Sequence, residues 1–103
     1  MSKRLEMFDK LIGQGSSDPF HYYARAMELR SLGRVPEAAQ AFADVCQRFA
    51  AYVPSYLMAA QLFRELGDLA QARQHAEAGV AAARRDGNEH ALSELTALLD
   101  QLP

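Results

Sequence analysis

The chain has 103 residues, half of them apolar and 23% charged, which suffices for one modest hydrophobic core, is too little for two, and is too apolar for a disordered segment. A formal charge of −2 and a pI near 5.9 give no reason to expect nucleic acid or anionic lipid as a partner, since either would want a concentrated basic face. The single cysteine, Cys46, excludes an internal disulfide and most thiolate metal sites. With no signal-like apolar run after Met1 and none long enough to span a bilayer, a cytoplasmic protein is expected.

Between Lys3 and Ile12 the residues Leu5, Phe8, Leu11 and Ile12, with Met7 at the edge, recur at helical spacing, and Gly13 follows where a left-handed residue would end the helix. After a turn at residues 14–17, Asp18 supplies an N-cap acceptor and Pro19 a first helical position that has no use for an N–H. This second helix runs to Leu32 with Tyr22, Ala26 and Leu29 on one face and Phe20, Tyr23 and Met27 on the next; Gly33 ends it. Val35-Pro36-Glu37 opens a helix whose apolar stripe is Ala38, Ala41, Phe42, Val45, Cys46 and Phe49. Pro54 opens another, through Tyr56, Ala60 and Phe63 to Leu66, which Gly67 ends. Asp68 caps a helix with Leu69, Ala72, Ala76, Val80 and Ala83 inside, and Asn88 caps a last one striped by Ala91, Leu92, Leu95, Leu98, Leu99 and Leu102. No segment alternates as a strand does. The whole reads as one all-α domain: a leading helix and turn at 1–17, two antiparallel pairs at 18–52 and 53–87, and a closing helix at 88–103 that lays its leucines over the second pair.

The organising feature is a repeat. The stretch from Glu28 to Gln40 is written again, thirty-four residues on, from Leu62 to Gln74, and seven pairs match at that spacing: Tyr22/Tyr56, Ala26/Ala60, Arg30/Arg64, Leu32/Leu66, Gly33/Gly67, Ala38/Ala72 and Gln40/Gln74. These residues resemble tetratricopeptide repeats from about Pro19 to Arg85, and the chain is similar to small bacterial proteins of that kind. Tyr22 and Tyr56 fill the early aromatic slot, Ala26 and Ala60 the small one, Gly33 and Gly67 the turn, Ala38 and Ala72 the alanine of the second helix, and Phe42 the late aromatic. Departures are Arg25 and Ala59 where leucine is usual, Ala76 opposite Phe42, Val45 and then Gly79 at the late alanine, and no terminal proline in either unit.

The resemblance implies a right-handed superhelical stack of two helix-turn-helix units with flanking helices, and a scaffold that takes a protein or peptide partner in the groove lined by each unit's first helix. Carried over by position, that groove presents Phe20, Tyr23, Met27 and Arg30, then Leu57, Met58, Gln61, Arg64 and Glu65. Tyr23, Met27 and Met58 stand where a carboxylate-gripping subset of the family has lysine, asparagine and arginine, so an apolar ligand face with an arginine edge is expected instead. The same apolar residues would alternatively pack against the leading helix, and Arg30 and Arg64 would alternatively pair with neighbouring acids. A second reading is a self-associating subunit, such as a homodimer, joined through Leu5, Phe8 and Ile12 or Leu95, Leu99 and Leu102.

No chemistry is written into the chain. His21, His75 and His90 lie on three helices with no partner at metal-ligand spacing. Cys46 lies on an apolar stripe with no base beside it, and no phosphate loop, nucleophile elbow or paired-carboxylate motif appears. No metal, cofactor or enzymatic activity is expected.

Overall fold

A computed structural model describes residues 2–103. Among them are six helices and no strand: α1 (Lys3–Gly13), α2 (Pro19–Ser31), α3 (Val35–Arg48), α4 (Pro54–Glu65), α5 (Leu69–Asp86) and α6 (Glu89–Gln101). They are the leading helix, the two pairs and the closing helix read from the sequence, with the helix opened by Pro54 and the helix capped by Asp68 parted by Gly67 at φ 79°.

Local chemistry sets these boundaries. The side chains of Asp18, Asp68 and Asn88 accept from the backbone N–H groups of Phe20, Gln71 and Ala91 at 2.9, 3.1 and 3.0 Å, satisfying donors that a helix start leaves orphaned. Ser2 does the same for α1 through Leu5 N–H, a cap that the sequence reading missed. Gly13 lies inside α1, and Gly15 (φ 90°) is the left-handed residue instead. The reason is the closing bond pair, Gly15 N–H to Ile12 C=O and Ser16 N–H to Leu11 C=O, which needs its left-handed residue at 15. The same pair recurs at Gly33 and Gly67, so the repeat is exact at the level of its turns.

Each helix packs on its neighbours in the chain, and α4 also touches α6. The helices thus form two layers, α2, α4 and α6 in one and α1, α3 and α5 in the other, within extents of 38 × 28 × 18 Å. The thinnest dimension matches two helix layers spaced about 10 Å apart. Alanines at 26, 38, 39, 60, 72, 76 and 83 are sealed between the layers, and Phe42, Leu29, Leu62 and Leu95 fill the larger spaces. Leu69, expected on the inner stripe, is 41% exposed, because it is the first residue of α5 and the helix enters the core only at Ala72.

One departure from the repeat pattern has a clear cause. Gly79 stands where the first unit has Val45, and a β-carbon added to it would lie 2.6 Å from the Tyr56 β-carbon and 3.0 Å from both Leu95 methyls. Glycine there lets α5 receive α4 and α6 together. Leu95, Leu98 and Leu102 are buried, so α6 does close the stack as expected. The early tyrosines tie down the turns before them: Tyr22 donates to Ser16 C=O at 2.8 Å, and Tyr56 to Ala50 C=O at 2.7 Å.

Candidate functional site

The residues expected to line one groove are divided between two clefts in the layer of α2, α4 and α6. Phe20, Tyr23 and Met27 line the first, about 390 Å³, whose far wall is Arg4 and Phe8 of α1. Helix α1 therefore walls this cleft and does not fill it. It packs instead on the adjacent side of α2, where Asp9 pairs with Arg25 at 2.5 Å, Ser2 donates to Glu28 at 2.8 Å, and the Phe8 and His21 rings lie 6.5 Å apart. Phe20 is left 54% exposed.

Leu57, Gln61 and Arg64 line the second cleft, about 240 Å³, between α4 and α6, with Glu94 and Gln101 opposite. Arg64 donates to Gln101 Oε1 at 2.8 Å. Met58 lies in neither cleft, being half-buried against the core, and Glu65 is exposed. Arg30 lines neither cleft and is exposed, and among the described residues neither it nor Arg64 belongs to an ion pair.

Tyr23 is the most constrained of these side chains. Its ring meets Phe42 edge-on at 5.5 Å and Tyr52 at 5.3 Å. Burial holds its phenol above the ordinary value, the Tyr52 phenol adds to that shift, and the Arg30 charge opposes it. The group thus stays a neutral hydrogen-bonding tip at physiological pH.

Arg4 and Phe8 were not foreseen as lining residues, though their spacing of four places them on one side of α1. A larger cleft, about 440 Å³, was also missed. It opens between α3 and α5 and is lined by Gln40, Asp44, Gln47, Gln71, Gln74 and His75 among others. The matched pair Gln40/Gln74 was its trace in the sequence. It is polar, with Gln40 bonded to Asp44 at 3.0 Å and the His75 ring stacked on Phe63 at 5.2 Å.

Among the described residues no cluster of three or more His, Cys, Asp or Glu is placed to hold a metal. The three histidines are engaged elsewhere, with Ser16, the Gln71 carbonyl and Glu94. Cys46 is buried, and desolvation pushes its thiol up to about 12, away from the thiolate a nucleophile needs. No helix among the described residues is long and apolar enough to cross a membrane.

The comparisons with solved structures follow this geometry closely. The solution structure of a tetratricopeptide repeat domain protein from Salinibacter ruber superposes with a TM-score of 0.77 at 27% identity, over 84% of this chain and 87% of that one. This chain has the tetratricopeptide-repeat fold. Its antiparallel helix pairs stack as a right-handed superhelix. Two further solved structures match at lower identity. PcrH, solved in complex with the chaperone-binding region of PopD, gives a TM-score of 0.85 at 20% identity over 95% of this chain and 74% of its own. A Bordetella parapertussis protein gives 0.79 at 22% identity over 99% and 89%. No protein-family model and no curated protein matches the sequence.

Proposed function

We propose that the protein is a non-catalytic protein-interaction module of the cytoplasm whose α2–α4–α6 layer takes a short segment of a partner, apolar with an acidic residue at its edge. The observation that carries this reading is a strip repeated at the thirty-four-residue step: Tyr23, Met27 and Arg30 on α2 recur as Leu57, Gln61 and Arg64 on α4. Each strip offers apolar contact followed by a guanidinium without an acid of its own, and such a group favours a carboxylate ligand. PcrH, whose fold covers 95% of this chain, was solved with a protein segment bound, which supports a partner of that class.

The test is a display library of short peptides panned on the purified chain, with dissociation constants for the enriched sequences. Met27→Ala is expected to weaken binding roughly tenfold or more, as for an interface anchor. Arg30→Glu and Arg64→Glu are expected to shift the library away from acidic peptides. An empty library, or binders indifferent to all three changes, refutes the reading.

A further inference from the structure

We propose that the polar cleft between α3 and α5 is a second binding site, in the layer opposite α2, α4 and α6, for an extended partner segment that carries a lysine or arginine. It shares no residue with the strips assigned above, so either site can fail alone. The cleft exists because α4 packs against both α3 and α5 while Ala43 and Ala78, which line the gap between them, are too short to bridge it. Its floor is Tyr56 and Cys46, both buried, and the Tyr56 hydroxyl is already taken by the Ala50 carbonyl at 2.7 Å. The polar groups open to a ligand are therefore those of the walls.

His75 is held at two points and free at the third. Its Nδ1 lies 2.8 Å from the Gln71 carbonyl, which can only accept, so Nδ1 carries the proton and Nε2 of the neutral ring is an acceptor. The ring stacks on the buried Phe63 at 5.2 Å and 19°. Among the described residues Nε2 has no partner, and a ring fixed in advance loses little freedom when it binds. The side-chain amides of Gln47, Gln71 and Gln74 also have no protein partner among the described residues. Each presents a donor and an acceptor on one planar group, the same pair that a peptide unit presents. Gln40 and Gln47 stand seven residues apart on α3, about 10 Å along its axis, the length of about three extended residues.

Charge selects the segment. Asp44 is the only acid in the lining, and no lysine or arginine accompanies it. Its Oδ1 accepts from Gln40 Nε2 at 3.0 Å, whereas Oδ2 has no partner among the described residues. That oxygen suits a cationic side chain and repels an acidic one, the reverse of the preference proposed for Arg30 and Arg64.

The test pans displayed twelve-residue peptides on the full chain and titrates the enriched sequences into isotope-labelled protein. Lysine- or arginine-bearing peptides are expected to shift the side-chain amide signals of Gln47, Gln71 and Gln74 and to leave the Met27 methyl signal in place. Asp44→Lys should weaken these peptides roughly tenfold or more, as for a lost charge-assisted bond. His75→Phe, which keeps a ring to stack on Phe63 but removes Nε2, should weaken them by roughly fivefold. Circular dichroism checks that both variants are folded. A library with no basic sequences overturns the proposal, as do basic peptides that ignore both substitutions or that move Met27 and not the glutamines.

Discussion

The substitution Gly79→Ala separates two physical effects of opposite sign. Counted from helix propensity alone, replacing a glycine in the interior of an eighteen-residue helix should stabilise the protein by about 1 kcal/mol. The new methyl would instead meet the Tyr56 β-carbon at 2.6 Å and both Leu95 methyls at 3.0 Å. Tyr56 cannot swing aside, because its β-carbon rides on the backbone of α4 and its hydroxyl is held by Ala50 C=O. Relief requires α4 and α6 to move outward from α5, and overpacking of this kind costs about 1–3 kcal/mol. A net loss of about 1–2 kcal/mol is expected, which in a domain of this size lowers Tm by roughly 5–15 °C. Thermal melts followed at 222 nm measure it. Gly13→Ala is the control: nothing lies within 4 Å of its added methyl, so the same change there should raise Tm by a few degrees. A Gly79→Ala protein as stable as the parent, or more so, would refute the claim that glycine permits the three-helix contact.

Ser55 is fully buried and its hydroxyl has no hydrogen-bond partner; Ser55→Ala should leave stability unchanged or raise it by up to about 1 kcal/mol in urea titrations, since no bond is lost and a desolvated group is removed. Cys46 borders the α3–α5 cleft but is only 7% exposed and its thiol stays protonated, so it should react far more slowly with a thiol reagent in the native protein at pH 8 than in denaturant. Tyr23, Tyr52 and Tyr56 all have phenols held above the ordinary 10.0, chiefly by burial. The folded state therefore binds those protons more tightly than the unfolded one, and stability present below pH 10 should fall as pH rises beyond it; melts at pH 9, 10 and 11 with phenolate absorbance read alongside would show no such decline if the tyrosines were not involved.

The sequence was most informative where a single residue type answers a local need. Asp18, Asp68 and Asn88 announced helix starts, and Gly33 and Gly67 announced turns, because capping and left-handed geometry depend on the residue itself and its near neighbours. Gly13 misled for the same reason, since two glycines stood close together and only the closing bond pair selects between them. Tertiary consequences were harder to read. That Leu69 would stay exposed depends on where α5 meets the core, and the need for Gly79 depends on two helices arriving from distant parts of the chain. The candidate groove residues could be read as a strip along each first helix, but not their division between two clefts. That division arises because α1 walls one end of the layer and α6 the other.

The tyrosine ties also bear on how such a chain could grow. A stretch cut from Ser16 to Phe49 carries Tyr22 together with the carbonyl it grips, and the next such stretch begins at Ala50 with the carbonyl that Tyr56 grips. A gene duplication in that frame would therefore bring its own hinge restraint with it, inserting a complete rung without requiring any new junction to evolve.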